Sequence, residues 1–123
     1  MKIKQFQTRT FTIAINQAQS ATPLNIGEFD GGHIIFPNGW TAANLAFKMC
    51  DTQAGTYGPV KDKAGSLIEL VGPPTAAVEV RQIPPELFNG ANWLHIWSES
   101  AGSDVTQAAA RTITLALYSK PMP

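Results

Sequence analysis

Asn92-Trp93-Leu94-His95-Ile96-Trp97-Ser98-Glu99 is the stretch on which the fold turns. Successive residues of an extended chain point to opposite faces of a sheet, and here both sets are apolar. Trp93, His95 and Trp97 fall on one side, Leu94 and Ile96 on the other. A strand that is wet on neither side belongs at the centre of a sheet. One small domain is hard pressed to cover both faces, so Trp93, His95 and Trp97 are expected to meet a second subunit.

Working outward, Glu86 to Ala91 reads as a compact turn, and Pro84-Pro85 blocks a ladder from continuing into it. Before it, Ala77 to Ile83 alternates Val78, Val80 and Gln82 against Glu79 and Arg81. Tyr57 to Lys61 and Ser66 to Val71 read as a hairpin around Asp62-Lys63-Ala64-Gly65. Leu45, Phe47 and Met49 alternate with Ala46, Lys48 and Cys50, and Trp40 to Asn44 is the best place for a single helical turn leading into them. His33 to Phe36 is β-branched and aromatic, Leu24 and Ile26 form a shorter run, and Arg9 to Asn16 sets Phe11, Ile13 and Ile15 against Thr10, Thr12 and Ala14. Downstream, Arg111 to Tyr118 alternates Ile113, Leu115 and Leu117 with Thr112, Thr114 and Ala116.

About eight short antiparallel strands, spaced by turn signals, predict an all-β domain, either a β-sandwich or a jelly roll. A length of 123 residues suits one domain. The expected boundaries are an N-terminal arm at 1–8, the sandwich at 9–119 and a tail at 120–123.

Charged residues make up 15% of the chain and its formal net charge is zero, against roughly 25% charged in soluble domains generally. That balance leaves no basic footprint for nucleic acid, and so sparsely charged a surface suits contact with other protein. No apolar run reaches membrane-span length, so no membrane is expected, and no secretory leader is read at the N-terminus. Cys50 is the one cysteine, which excludes an intrachain disulfide framework and points to synthesis in a reducing cytosol.

Candidate chemistry is thin. His33 and His95 match no metal-ligand spacing. Cys50 sits in a strand, where a small buried thiol is ordinary. Glu28, Asp30, Glu69, Glu79, Glu86, Glu99 and Asp104 fall singly, and Gly31-Gly32 lacks the lysine of a phosphate loop. No cofactor and no catalysis are expected. Trp40, Trp93, Trp97, Tyr57 and Tyr118 can either pack or stack sugar rings, and packing in a core or subunit interface carries more weight.

Three blocks resemble small structural proteins encoded among the virion genes of tailed bacteriophages: Trp40-Thr41-Ala42-Ala43-Asn44-Leu45-Ala46-Phe47, Phe88-Asn89-Gly90-Ala91-Asn92-Trp93-Leu94, and the segment from Gln107 to Leu117. The chain departs from that family after its first strand and at Trp93, where an arginine is frequent. The resemblance implies a non-catalytic virion component, a capsid decoration or cement protein on the phage head, assembled in the host cytoplasm. It also implies major capsid protein or other virion proteins as partners. Self-association, with a trimer favoured, is expected through Trp93, His95 and Trp97, and docking through the arm, with Lys2, Ile3, Lys4 and Phe6. The rival expectation is a carbohydrate-binding or receptor-contacting module of a phage tail or fibre.

Overall fold

The computed structural model describes residues 6–90 and 92–119. Ten strands run in chain order: β1 (Phe6–Ile13), β2 (Leu24–Asn25), β3 (Gly31–Phe36), β4 (Asn44–Cys50), β5 (Gly58–Pro59), β6 (Glu69–Leu70), β7 (Glu79–Gln82), β8 (Trp93–Ser100), β9 (Ser103–Asp104) and β10 (Arg111–Tyr118). They form a four-stranded sheet in the order β1-β10-β3-β7 and a six-stranded sheet in the order β2-β8-β4-β5, with β6 also on β4 and β9 also on β8. All pairings are antiparallel.

The pairing is nested. β1 meets β10, β2 meets β8 and β3 meets β7, while β4 takes β5 and β6. One long hairpin, closed at β4 to β6, has been rolled up so that β10 also meets β3 and β8 also meets β4. That is the strand order of a jelly roll, a double-sheet sandwich. The core lies between the sheets: Phe11, Ile13, Ile34, Phe36, Ile113, Leu115 and Leu117 from one, Leu45, Phe47, Leu94 and Ile96 from the other. Period-two alternation put each of these on a single face.

Several boundaries differ from the sequence expectation. β1 begins at Phe6, so residues 6–8 belong to the sheet, and the proposed arm is shorter by those three; Lys2, Ile3 and Lys4 lie outside the described residues. β1 also stops at Ile13, because Gln17 N donates to Ala14 O and Asn16 takes φ 63°. Ile15 is therefore exposed beyond the strand. No helical turn forms at Trp40 to Asn44. The short 3-10 turn is instead Pro85–Asn89, where Pro85 presets the backbone and buried Leu87 anchors it. The hairpin around Asp62–Gly65 is present: Asp62 Oδ1 accepts the N–H groups of Ala64 and Ser66 at 2.9 Å, Lys61 bridges to Leu67, and Gly65 has φ +85°. Its two arms reach β4 only as the short β5 and β6. No helix of the described residues is long and apolar enough to cross a membrane.

Candidate functional site

Two outer sheet faces remain, and their chemistry is opposite. On the four-stranded sheet, register alone decides what points away from the core. Phe6 lies opposite Tyr118, Thr8 opposite Ala116, Thr10 opposite Thr114 and Thr12 opposite Thr112. The face continues through His33 and Ile35 on β3 to Gln82 and Val80 on β7. No Lys, Arg, Asp or Glu stands at these outward positions. At one end Phe6 packs tilted on His33 (5.7 Å between centroids) and edge-on to Tyr118 (5.6 Å). Tyr118 in turn lies across Gly31, where a Cβ would stand 2.6 Å from the phenol oxygen.

The outer face of the six-stranded sheet is polar and titratable. Asn44 lies opposite Glu99, Ala46 opposite Trp97, Lys48 opposite His95 and Cys50 opposite Trp93. Of the residues expected to meet another subunit on this side of β8, His95 and Trp97 are covered by the chain itself. Residues 18–20 run along the strand, with Ser20 N donating to Ile96 O and Ser98 N to Ala18 O. Ala18, Ala46 and Trp97 form a small second cluster with Leu67 against it. Lys48 Nζ sits 4.4 Å from the Trp97 ring centre, and Trp97 Nε1 donates to Asp104 Oδ1 at 2.7 Å. Tyr57 meets His95 edge-on at 4.7 Å. His95 and Trp97 are thus buried within one chain, at 7% and 5% exposure, and offer a partner little surface. Trp93 remains half-buried.

His95 Nδ1 lies 2.7 Å from Ser20 Oγ, which also accepts the Ile96 N–H at 3.1 Å. With a neutral imidazole, the hydroxyl proton goes to Nδ1 and all three groups are satisfied. Burial, then the Lys48 ammonium, hold the imidazole below its ordinary value, while an interaction with the Ser20 backbone, distinct from the hydroxyl contact, pulls the other way. A folded pKa below the unfolded one means that the unfolded chain binds more protons in the window between them. Stability contributed here is present above about pH 6.5 and lost as pH falls through the folded value. His95→Gln should flatten that acid limb in a series of thermal melts.

The carboxyl groups of Glu69 and Glu99, far apart in sequence, meet on this face. Glu69 Oε2 and Glu99 Oε2 are both buried without a donor from any other group of the described residues. A hydrogen bond to Glu99, then burial and the Glu99 charge, raise the Glu69 carboxyl above its ordinary value, opposed by Asn44. A protonated Glu69 satisfies both orphan oxygens. The sign is opposite to that of His95: a raised folded pKa gives stability that is full below the unfolded carboxyl value and lost as pH rises through the folded one. Glu99→Gln supplies an amide donor to Glu69 and keeps Oε1 for the Gly102 N–H. It is expected to raise the melting midpoint at pH 8 by a few degrees, about 1 kcal/mol, and to change it little at pH 4.

The sequence treated every acid as isolated, and no spacing rule pairs positions 69 and 99. His33 and His95 stand on outer faces of different sheets, so they cannot share a metal. Among the described residues no group of three or more His, Cys, Asp or Glu is placed to hold one. Cys50 is half-buried, with Sγ 3.8 Å from Thr52 Oγ1. Of the candidate sugar-stacking rings, Trp40 is 1% exposed and Trp97 5%, so neither presents a ring face.

Two of the resemblance blocks touch through one residue that sequence reading passed over. Gln107, fully buried, accepts the Thr41 N–H at 2.9 Å through Oε1 and donates to Ser98 Oγ at 2.9 Å through Nε2. Arg111 Nε donates to the same Oε1 at 3.2 Å. The available signal was a lone glutamine in a run of small residues, which is weak. Comparisons with protein-family models, with curated proteins and with solved structures find no match to this chain.

Proposed function

We propose that this chain is a non-catalytic structural protein of a tailed-phage virion, a decoration or cement protein that docks on the capsid surface and stabilises the head. The observation that carries the reading is the outer face of the four-stranded sheet, an array of threonine, alanine, valine, isoleucine and aromatic side chains with His33 and Gln82 and with no Lys, Arg, Asp or Glu to desolvate. Burying such a face against protein removes apolar area from water at no Coulombic cost. The jelly roll is also an architecture of viral capsid domains, an analogy of fold that supports the reading without fixing it.

Phe6 and Tyr118 lie opposite each other at one end of this face, and the arm residues Lys2, Ile3 and Lys4 are proposed to take part in docking. The partner is the major capsid protein, and a homo-oligomer, a trimer where capsid subunits meet, suits repeated docking points. With His95 and Trp97 inside the chain, self-association falls to the threonine-rich face and its edges.

Virions lacking the protein should lose resistance to heat and low salt, and adding it back should restore that resistance. Equal resistance of the two particles would remove the cement role. Thr114→Lys puts a charge at the centre of the face, where it is half-buried. It should weaken binding to undecorated particles tenfold or more while moving the protein's own stability by no more than about 0.5 kcal/mol.

A further inference from the structure

A cleft of about 600 Å³ opens beside β2 and β8, lined by Arg9, Asn25, Glu28, Asn92 and Trp93 among others. Its volume lies within the roughly 300–1,000 Å³ usual for small-molecule sites. Of the tryptophans, Trp93 is the half-exposed one, and the β2–β8 register sets it directly opposite Asn25. An indole and a carboxamide thus stand side by side on adjacent strands, outside the core.

Both polar groups are held in place. Asn25 Oδ1 accepts the Gly27 N–H at 2.9 Å, which fixes the amide plane and leaves its NH2 donors for another partner. Asn92 O accepts the Ile26 N–H at 2.8 Å. The Asn92 amide then lies against Gly27, where a Cβ would stand 2.6 Å from its Oδ1; glycine is what lets it fit. Arg9 uses one N–H on Gln7 Oε1 and one on Thr8 O, out of five on a guanidinium. Glu28 adds an acceptor.

We infer that this cleft is a saccharide-binding site in which Trp93 stacks on a sugar ring and Asn25, Asn92 and Arg9 bind its hydroxyl groups. A pyranose offers an apolar C–H face and a rim of hydroxyls that donate and accept, which matches one aromatic wall and a mixed set of amide, guanidinium and carboxylate groups. A phosphate ligand would want several cations, and the cleft holds Arg9 opposed by Glu28. A purely apolar ligand would leave the amides unsatisfied. Asn25 and Trp93 belong to the sheet opposite the docking face and Arg9 reaches in from β1, so a docked subunit can present the site at its side, and it stands or falls independently of the capsid reading.

The test is a glycan array of bacterial surface and common hexose oligosaccharides probed with the intact chain. Titration of any hit, followed by NMR shifts of backbone amides, gives affinity and location. A hit whose affinity falls tenfold or more in Trp93→Ala and in Asn25→Ala, with shifts centred on residues 24–28 and 92–93, supports the inference. Trp93→Phe should retain part of the binding, which separates ring stacking from loss of fold. An array with no hit overturns it, as does a hit unaffected by both alanine variants or one whose shifts map elsewhere.

Discussion

Trp40→Ala is expected to destabilise the domain by about 3–5 kcal/mol, lowering the thermal midpoint by roughly 10–25 °C. The indole is 1% exposed in a stretch without regular structure, packs edge-on to Phe36 at 5.7 Å, and donates Nε1–H to Ala43 O at 3.1 Å. Truncation removes the largest side chain in the core, leaves a cavity, and strips a carbonyl of its donor. The backbone from 39 to 43 is fixed by few strand bonds, so collapse around the void should move that segment. Against a total stability of 5–15 kcal/mol typical of such domains, the variant would be marginal at 37 °C. Trp40→Phe should recover most of the loss, since it refills much of the volume and forfeits chiefly the hydrogen bond. Urea and thermal denaturation of the three proteins decide the point.

Gln107→Leu should cost about 2–4 kcal/mol, although it adds apolar volume to a buried position. The loss comes from what is left behind: the Thr41 N–H and Ser98 Oγ each lose a partner, at roughly 1–3 kcal/mol for each buried group left unsatisfied. Ser98→Ala in the same background should restore part of the stability, because it deletes one of the orphaned atoms, and a double-mutant cycle should show coupling of at least about 0.5 kcal/mol. Additive losses would mean that Gln107 is not the hub its contacts suggest. The backbone of Gln107 also bonds to Gln17 and Asn16, so backbone and side chain together tie the loops before β2, before β4 and before β10.

How far these features were legible depends on their range. Period-two patterns in 92–99 and 111–118 placed Leu94, Ile96, Ile113, Leu115 and Leu117 on the core side, because alternation is a local property of a strand. The nested order of strands is not local, and nothing in the sequence chose jelly roll over another sandwich. The pattern of β8 predicts a central strand, and β8 lies between β2 and β4, but its outer face carries His95 and Glu99 beside the tryptophans. Its outer face was assigned to a partner because the covering residues, Ala18, Ser20, Tyr57 and Leu67, come from loops with no pattern of their own. Alternation extended past Ala14 sets Ile15 on the face of Phe11 and Ile13, but the strand ends at Ile13 and a turn follows. The Glu69–Glu99 pair and the Asn25–Trp93 cleft arise from register across strands distant in sequence, which spacing rules cannot see.

The nested pairing has a consequence for how the protein comes into being. β10 lies between β1 and β3 in the four-stranded sheet, yet among the described strands it is made after all the others. Until residues 111–118 are made, β1 has no neighbour and β3 has only the four-residue β7, whereas β4 and β8 can already pair. Co-translational folding should therefore yield one sheet early and the other only after β10 has emerged. High contact order of this kind slows folding, and it leaves the eight-residue edge of β1 open to mispairing with nascent neighbours on the same messenger.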